Sequence, residues 1–279
     1  MAKIGQFNKL RVIKKLDFGI YLDGDAHGEI LMPKQYVPEN CNPEDEIECF
    51  IYLDSEDRII ATTLTPYAKV GEFAYLEVVS VSAVGAFLNW GLPKDLFVPF
   101  REQKQKMEVG RFYLVYLYLD EDTNRIAASA KLEQFLLDVA PEYSVGQEVD
   151  LLIYHKTDLG YKAIINTEHL GVLYKNEVFQ ELHPGQKIKG YINKIRDDKK
   201  IDLALQKPGF EKIDSLTDII LKKLSEQNGF LEVNDKTDAA EIYAIFGVSK
   251  KTFKKAIGAL YKKELIDISE KGIQLTTKK

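Results

Sequence analysis

The chain repeats itself three times across its first 206 residues, and that repetition limits its possible folds more than any local propensity does. A shift of 66 positions places Gly5, Leu10, Val12, Gly19, Leu22 and Pro33 on Gly71, Leu76, Val78, Gly85, Leu88 and Pro99. With one inserted residue, Tyr52-Leu53-Asp54 through Arg58-Ile59 falls on Tyr118-Leu119-Asp120 through Arg125-Ile126. A further shift of 75 carries Gly71, Gly85, Gly110, Tyr116 and Ile126 onto Gly146, Gly160, Gly185, Tyr191 and Ile201. The period is too long for a solenoid hairpin and suits a small independent β domain. The organisation expected is three such units at 1–66, 67–138 and 139–207, followed by a different segment at 208–279.

Within one unit the hydropathy alternates with period two. Leu10 and Val12 point inward while Lys9 and Arg11 point out, and a second strand runs through Leu16-Asp17-Phe18-Gly19-Ile20-Tyr21-Leu22. After the Asp23-Gly24-Asp25 turn comes Glu29-Ile30-Leu31-Met32, stopped by Pro33. Glu46 to Leu53 and Arg58 to Thr62 complete the set around a charged turn. Five short alternating strands separated by turn residues are what a five-stranded Greek-key barrel needs. Gly19, Gly85 and Gly160 fall inside the strand pattern, where glycine marks a bend at a barrel corner.

Charge argues against strong, salt-driven binding of a polyanion. The net charge is −5, with seven Lys/Arg against twelve Asp/Glu in 1–66, eight against ten in 67–138, ten of each in 139–207, and thirteen against eleven in 208–279. A nucleic-acid binder usually carries a basic domain, so phosphate contacts here must be local. Cys41 and Cys49 are too few for a disulfide framework or a zinc site, and His27, His155, His169 and His183 show no ligand spacing. No Walker, Gly-x-Ser-x-Gly or Gly-x-Gly-x-x-Gly pattern occurs. Neither catalytic residues nor a cofactor or metal are expected. With no long apolar run and no signal-peptide core in Met1-Ala2-Lys3-Ile4-Gly5, a cytoplasmic protein without membrane association is expected.

Phe18-Gly19-Ile20-Tyr21-Leu22 and Val84-Gly85-Ala86-Phe87-Leu88 resemble the glycine-centred second strand of S1-type RNA-binding domains. The segments Leu53-Asp54 to Arg58-Ile59 and Leu119-Asp120 to Arg125-Ile126 resemble the closing Asp-turn-Arg segment of the same domains. Three such units followed by a winged helix is an order similar to that of the conserved virulence factor B (CvfB, YitL-like) family, over essentially the whole chain. The resemblance implies a mostly β chain with a small α/β end: three tandem OB-fold barrels and a C-terminal winged helix-turn-helix. It also implies a bacterial RNA-binding regulator, with stacking rings on strands 2 and 3 and a basic residue before strand 5. Carried over by position, the implied RNA-contacting residues are Phe18, Tyr21 and Arg58 in the first unit and Phe87 and Arg125 in the second. In the third they are Tyr161 (beside Leu159 and Lys162, which replace the two ring positions), Tyr174 and Lys200. Pro33 and Pro99 stand where the family often has a His, so no unit keeps the whole set.

Alternation leaves Phe50 and Tyr52 on the non-core face of the fourth strand, opposite Ile47, Cys49, Ile51 and Leu53. Rings there either stack on a ligand or pack against a neighbouring barrel, and for Tyr52 and Tyr118 packing is the expected role. Trp90, in the turn after the second strand of unit two, is expected to be a packing lid. Arg58, Arg125 and Lys200 face an even choice between phosphate and a surface ion pair with the acidic residues nearby.

After Lys207-Pro208-Gly209 the period changes to 3.6. Ile213, Leu216, Ile219, Ile220 and Leu224 mark a first helix. Ala239, Ile242, Tyr243 and Phe246 mark a second, capped by Asp235 or Asp238. Phe253, Ala256, Ile257, Leu260 and Tyr261 mark a third, with Ser249 as N-cap. A hairpin around Lys271-Gly272 completes a winged helix. Lys250, Lys251, Lys254 and Lys255 open the third helix and make it the candidate nucleic-acid contact of this segment, although lysines grip phosphate without reading bases. The leading expectation is a non-catalytic, low-specificity binder of single-stranded RNA. The alternatives are a DNA-binding transcription regulator acting through the winged helix, or an adaptor for a protein such as a ribosome-associated one.

Overall fold

The computed structural model describes residues 2–137, 142–175, 178, 180–207 and 213–276, the side chains of 213–215 excepted. The chain divides into two units, Met1–Asp138 and Val139–Lys279.

The first unit holds two closed barrels. The first is built from β1 (Phe7–Leu16), β2 (Gly19–Asp23), β3 (Glu29–Pro33), β4 (Glu46–Leu53) and β5 (Ile59–Thr62). The second is built from β6 (Phe73–Val81), β7 (Gly85–Leu88), β8 (Leu96–Pro99), β9 (Phe112–Leu119) and β10 (Ile126–Ser129). A third barrel, in the second unit, uses β11 (Glu148–Thr157), β12 (Gly160–Ile165), β13 (His169–Tyr174), β14 (Lys187–Ile195) and β15 (Ile201–Ala204). All three close in the spatial order 1-2-3-5-4, with strands 3 and 5 parallel and the other pairs antiparallel. This is the OB-fold topology.

A long first strand pairs with both strand 2 and strand 4, so it must bend. The bend falls at a register break in the same place each time, at Val12/Lys14, Val78/Ser80 and Ile153/His155. Before it, Gly5, Gly71 and Gly146 donate their backbone N–H to the carbonyls of Ile51, Leu117 and Ile192 at 2.7–2.8 Å. These three glycines have φ of +75°, +91° and +83°, a region that a side chain rarely enters, which accounts for their recurrence in the sequence.

Alternation fills the barrels as the pattern requires: Val12, Ile20, Leu22, Ile30, Met32, Cys49 and Ile51 are buried in the first. Both cysteines are free and buried. The outward face of β4 is covered where Phe50 and Tyr52 stand, at 0% and 2% exposure. Phe50, Tyr52 and Ile60 share one apolar cluster with Leu76, Val78, Trp90 and Leu117 of the second barrel. Hydrogen bonds add to this junction, with the Val70 N–H donating to Gly5 O at 3.0 Å and the Gln6 side-chain amide to Val70 O at 2.6 Å.

In the second unit α1 (Ile213–Glu226), β16 (Phe230–Leu231), α2 (Ala239–Phe246), α3 (Lys250–Lys262), β17 (Ile266–Ile268) and β18 (Ile273–Leu275) form the winged helix. The sheet order is β16-β18-β17, so the expected hairpin gains a third, two-residue strand. Asp238 caps α2 by accepting from Ala240 N, and Gly247 closes that helix at φ +65°. Ser249 caps α3 by accepting from Thr252 N. The buried stripes are narrower than the periodicity implied. Leu216, Ile220 and Leu224 are buried, as are Phe253, Ala256, Ile257 and Leu260, but Ile219 and Tyr261 stand on the flanks and are exposed. Ile213, expected in the α1 stripe, has its side chain outside the described residues.

Candidate nucleic-acid interface

The strand 2–3 face is set by the same register in every barrel. Gly19 pairs with Pro33, Gly85 with Pro99 and Gly160 with Tyr174. A methyl group on any of these glycines would run into the strand-3 carbonyl of Met32, Val98 or Leu173. The glycines open their strands rather than lying inside them, and they let strands 2 and 3 approach closely at the corner. The residue before each glycine is pushed into solvent: Phe18 is 55% exposed, Val84 61% and Leu159 63%. Two positions after the glycine, Tyr21, Phe87 and Lys162 occupy one equivalent, outward and half-buried place.

In the first barrel Phe18 and Tyr21 meet edge to face, with centroids 6.3 Å apart at 87°. The Lys14 ammonium lies 4.6 Å from the Tyr21 ring and also pairs with Glu29. Arg58 is folded onto its own hairpin. Its Nε and Nη2 donate to Asp54 Oδ2 at 2.8 and 2.7 Å, and Nη1 reaches Glu56 at 2.9 Å. Arg58 thus makes the surface ion pair with Asp54 and Glu56.

The second barrel carries a cleft of about 840 Å³, lined by Phe87, Phe97, Trp90, Arg101, Asp120 and Arg125, and by Tyr52 and Asp57 from the first barrel. Phe87 and Phe97 sit opposite each other on β7 and β8, with centroids 5.2 Å apart and planes tilted by 36°. Trp90 is buried and serves as a wall: its Nε1–H donates to Lys94 O at 2.6 Å, and its ring packs on Phe50 and Tyr52. Arg101 reaches Asp120 at 3.4 Å. Arg125 does not pair with its own hairpin; it pairs with Asp57 of the first barrel. Lys94 Nζ donates to the same Asp57 at 2.8 Å and to Asp54 O at 2.7 Å. The hydrogen bond from the Lys94 ammonium first, and after it the charges of Lys94 and Arg125, hold the Asp57 carboxyl below its ordinary 3.8 against the opposing effect of burial. Tyr118 is half-buried against Phe135, at 5.6 Å.

The third barrel departs from the expectation in one place. Tyr161 aligns by register with the inward residues Ile20 and Ala86 and is 6% exposed within the barrel core, so its ring offers no stacking face. Its adjacency to Lys162 suggested substitution for a ring at that position, but period two sends neighbours to opposite faces. Tyr174 is half-buried and accepts a hydrogen bond from Arg196 Nη2, whose guanidinium lies 5.7 Å from the ring centroid and pairs with Asp202 at 3.0 Å. Lys200 is exposed and pairs with Asp198 at 2.7 Å.

On α3 the four lysines are not equivalent. Lys250 Nζ donates to Lys236 O at 3.0 Å and Lys254 faces Asp235 at 3.6 Å, whereas Lys251 and Lys255 stand exposed on the helix.

Phe97, Lys94, Arg101 and Arg196 were not anticipated. Phe97 was legible: in Leu96-Phe97-Val98 the outer two residues are buried, and alternation turns the half-buried middle one outward. Lys94 and Arg101 lie in turns flanking β8, where periodicity carries no information.

An S1 domain model matches residues 4–64 and 70–131, the first two barrels, and a CvfB-like winged helix domain model matches residues 218–275. The chain is 26% identical to protein YitL of Bacillus subtilis over 267 residues, covering 92% of this chain and 89% of that protein. It is 24% identical to conserved virulence factor B of Staphylococcus aureus (strain USA300) over 288 residues, covering 99% and 95%. Among solved structures, a multidomain protein with nucleic acid binding domains from Streptococcus pneumoniae TIGR4 aligns over 98% of both chains, at 24% identity and a TM-score of 0.42.

Proposed function

We propose that this chain, which belongs to the conserved virulence factor B family, is a non-catalytic binder of single-stranded RNA with low sequence specificity, acting in post-transcriptional control. The observation that carries the reading is the Phe87–Phe97 ring pair, open to a cleft that also holds Arg101 and Arg125. Every base has a π face, so exposed rings hold single strands without reading sequence, for about 1–3 kcal/mol per base. Cations beside the rings take the phosphates. Duplex bases are stacked on one another and cannot reach such rings.

Phe18 with Tyr21, Phe87 with Phe97, and Tyr174 with Arg196 make three modest ligand faces on the strand 2–3 side of three barrels. Linked weak sites on one strand gain affinity through effective concentration. In the first unit the shared apolar cluster fixes two of these faces relative to each other, which lowers the ordering cost of engaging both. The segments 1–66, 67–138, 139–207 and 208–279 act as the functional modules in this account. Among the described residues no helix is long and apolar enough to cross a membrane, and the cytoplasm is the compartment proposed.

The DNA-reading alternative finds less support. Lys250 and Lys254 are engaged with Lys236 and Asp235, and the remaining exposed pair, Lys251 and Lys255, grips phosphate without specifying bases. A titration calorimetry comparison of the wild type with Phe87→Ala/Phe97→Ala tests the reading. Loss of single-stranded RNA affinity at unchanged melting temperature supports it; undiminished affinity rejects the second barrel as the binding face.

A further inference from the structure

The ligand face of the second barrel is not built by that barrel alone. The β4–β5 hairpin of the first barrel forms one side of the cleft, through Tyr52, Ser55 and Asp57. Asp57 is the residue that closes it chemically. Its carboxylate takes both Lys94, at 2.8 Å, and Arg125, the residue before β10 that S1-like domains would offer to phosphate.

The hairpin does not need Asp57 for its own shape. Its turn is tied by Asp54, whose Oδ1 accepts from Glu56 N and Arg58 N at 2.9 and 3.0 Å. The polar contacts of the Asp57 side chain are to the second barrel. Its backbone has φ +62°, which Asn tolerates as well as Asp. The side chain remains 37% exposed, so an anion from solution can compete for the same cations.

A carboxylate held by an ammonium and a guanidinium presents the same anionic oxygens as a phosphodiester in the same place. We infer that Asp57 occupies the phosphate seat of the second barrel's cleft, so that single-stranded RNA enters by displacing it from Arg125 and Lys94. The first barrel thereby sets the affinity of the second, and its acidic balance serves this competition. This rests on the RNA reading above and adds to it the seat of one phosphate and a built-in competitor.

The consequence is opposite in sign to that of an ordinary contact. Asp57→Asn keeps the turn and takes the competing negative charge away from both cations, leaving Lys94 its bond to Asp54 O, so it tightens binding; removing a residue that merely braces the two barrels would weaken it. The gain expected is on the order of three- to tenfold in Kd, as two partly exposed ion pairs permit. It shrinks as salt screens the competition. Glu56→Gln removes the same charge from the same hairpin but touches Arg58 rather than the cleft, so it separates a local effect from a general one.

The test is a titration of the wild type, Asp57→Asn, Glu56→Gln, Arg125→Gln and Asp57→Asn/Arg125→Gln with a fluorescein-labelled oligouridine, at low and high salt, with melting temperatures recorded in parallel. Tighter binding by Asp57→Asn alone, lost at high salt and lost again in Asp57→Asn/Arg125→Gln, supports the inference. Wild-type binding with no gain in Asp57→Asn, or an equal gain in Glu56→Gln, overturns it while leaving the RNA reading standing. Absence of binding by every variant removes the RNA reading and this inference with it.

Discussion

Trp90 of the second barrel stands edge-on to Phe50 of the first, with ring centroids 5.9 Å apart and planes at 74°. Tyr52 completes the group at 6.5 Å from Trp90, and all three rings are buried in the cluster that joins the two barrels. Trp90→Ala would leave a ring-sized cavity at the junction, costing about 3–5 kcal/mol. A lowered Tm in calorimetry is the expected outcome, together with exposure of Phe50 and Tyr52.

Phe18→Ala and Phe87→Ala are expected to behave differently from Trp90→Ala. Phe18 is 55% exposed and Phe87 half-buried beside Phe97, so neither anchors a core. Each should leave Tm within a degree or two while weakening single-stranded RNA binding by roughly 5- to 140-fold, the effect of losing one stacked base. A drop in Tm with unchanged affinity would assign these rings to packing.

The barrels were legible from the repeat because each element of the period has a mechanical job. Gly5, Gly71 and Gly146 sit at positive φ, and Gly19, Gly85 and Gly160 face a strand-3 carbonyl. The site was less legible. Tyr161 was placed by adjacency rather than by face and lies in the core. The Asp57–Arg125 pair joins residues 68 apart in the chain, and the repeat aligns Arg125 with Arg58. That alignment pointed to pairing within one hairpin, whereas the barrel junction carries Asp57 across to the next domain. Arg196 escaped notice because it takes the place of Asp54 and Asp120 at the hairpin entry, a substitution that only register reveals.

Asp57 also gives the junction a pH dependence. Its folded-state carboxyl titrates below the ordinary 3.8 because of Lys94 first and Arg125 after it. A depressed carboxylate contributes stability that is complete above its unfolded value and is lost as pH falls through the folded value. At neutral pH Asp57→Asn should therefore lower Tm slightly, by a few degrees at most for so exposed a pair. The difference from wild type should vanish once the pH is well below 3.8. A difference that persists in strong acid would mean that Asn perturbs the turn itself.

On α3, Lys251→Ala/Lys255→Ala should reduce nonspecific nucleic-acid retention more than Lys250→Ala/Lys254→Ala, because the latter pair is already engaged with Lys236 O and Asp235. Filter binding on duplex DNA and single-stranded RNA of one sequence measures both. A larger loss for Lys250→Ala/Lys254→Ala, confined to duplex DNA, would move the winged helix toward DNA readout.

The most direct test of the central claim is fluorescence anisotropy with labelled single-stranded RNA, single-stranded DNA and duplex DNA of matched sequence, each at two salt concentrations. The account predicts that single-stranded RNA binds most tightly, with a shallow salt slope befitting few phosphate contacts. Preference for duplex DNA, or no binding to any of the three, would contradict it.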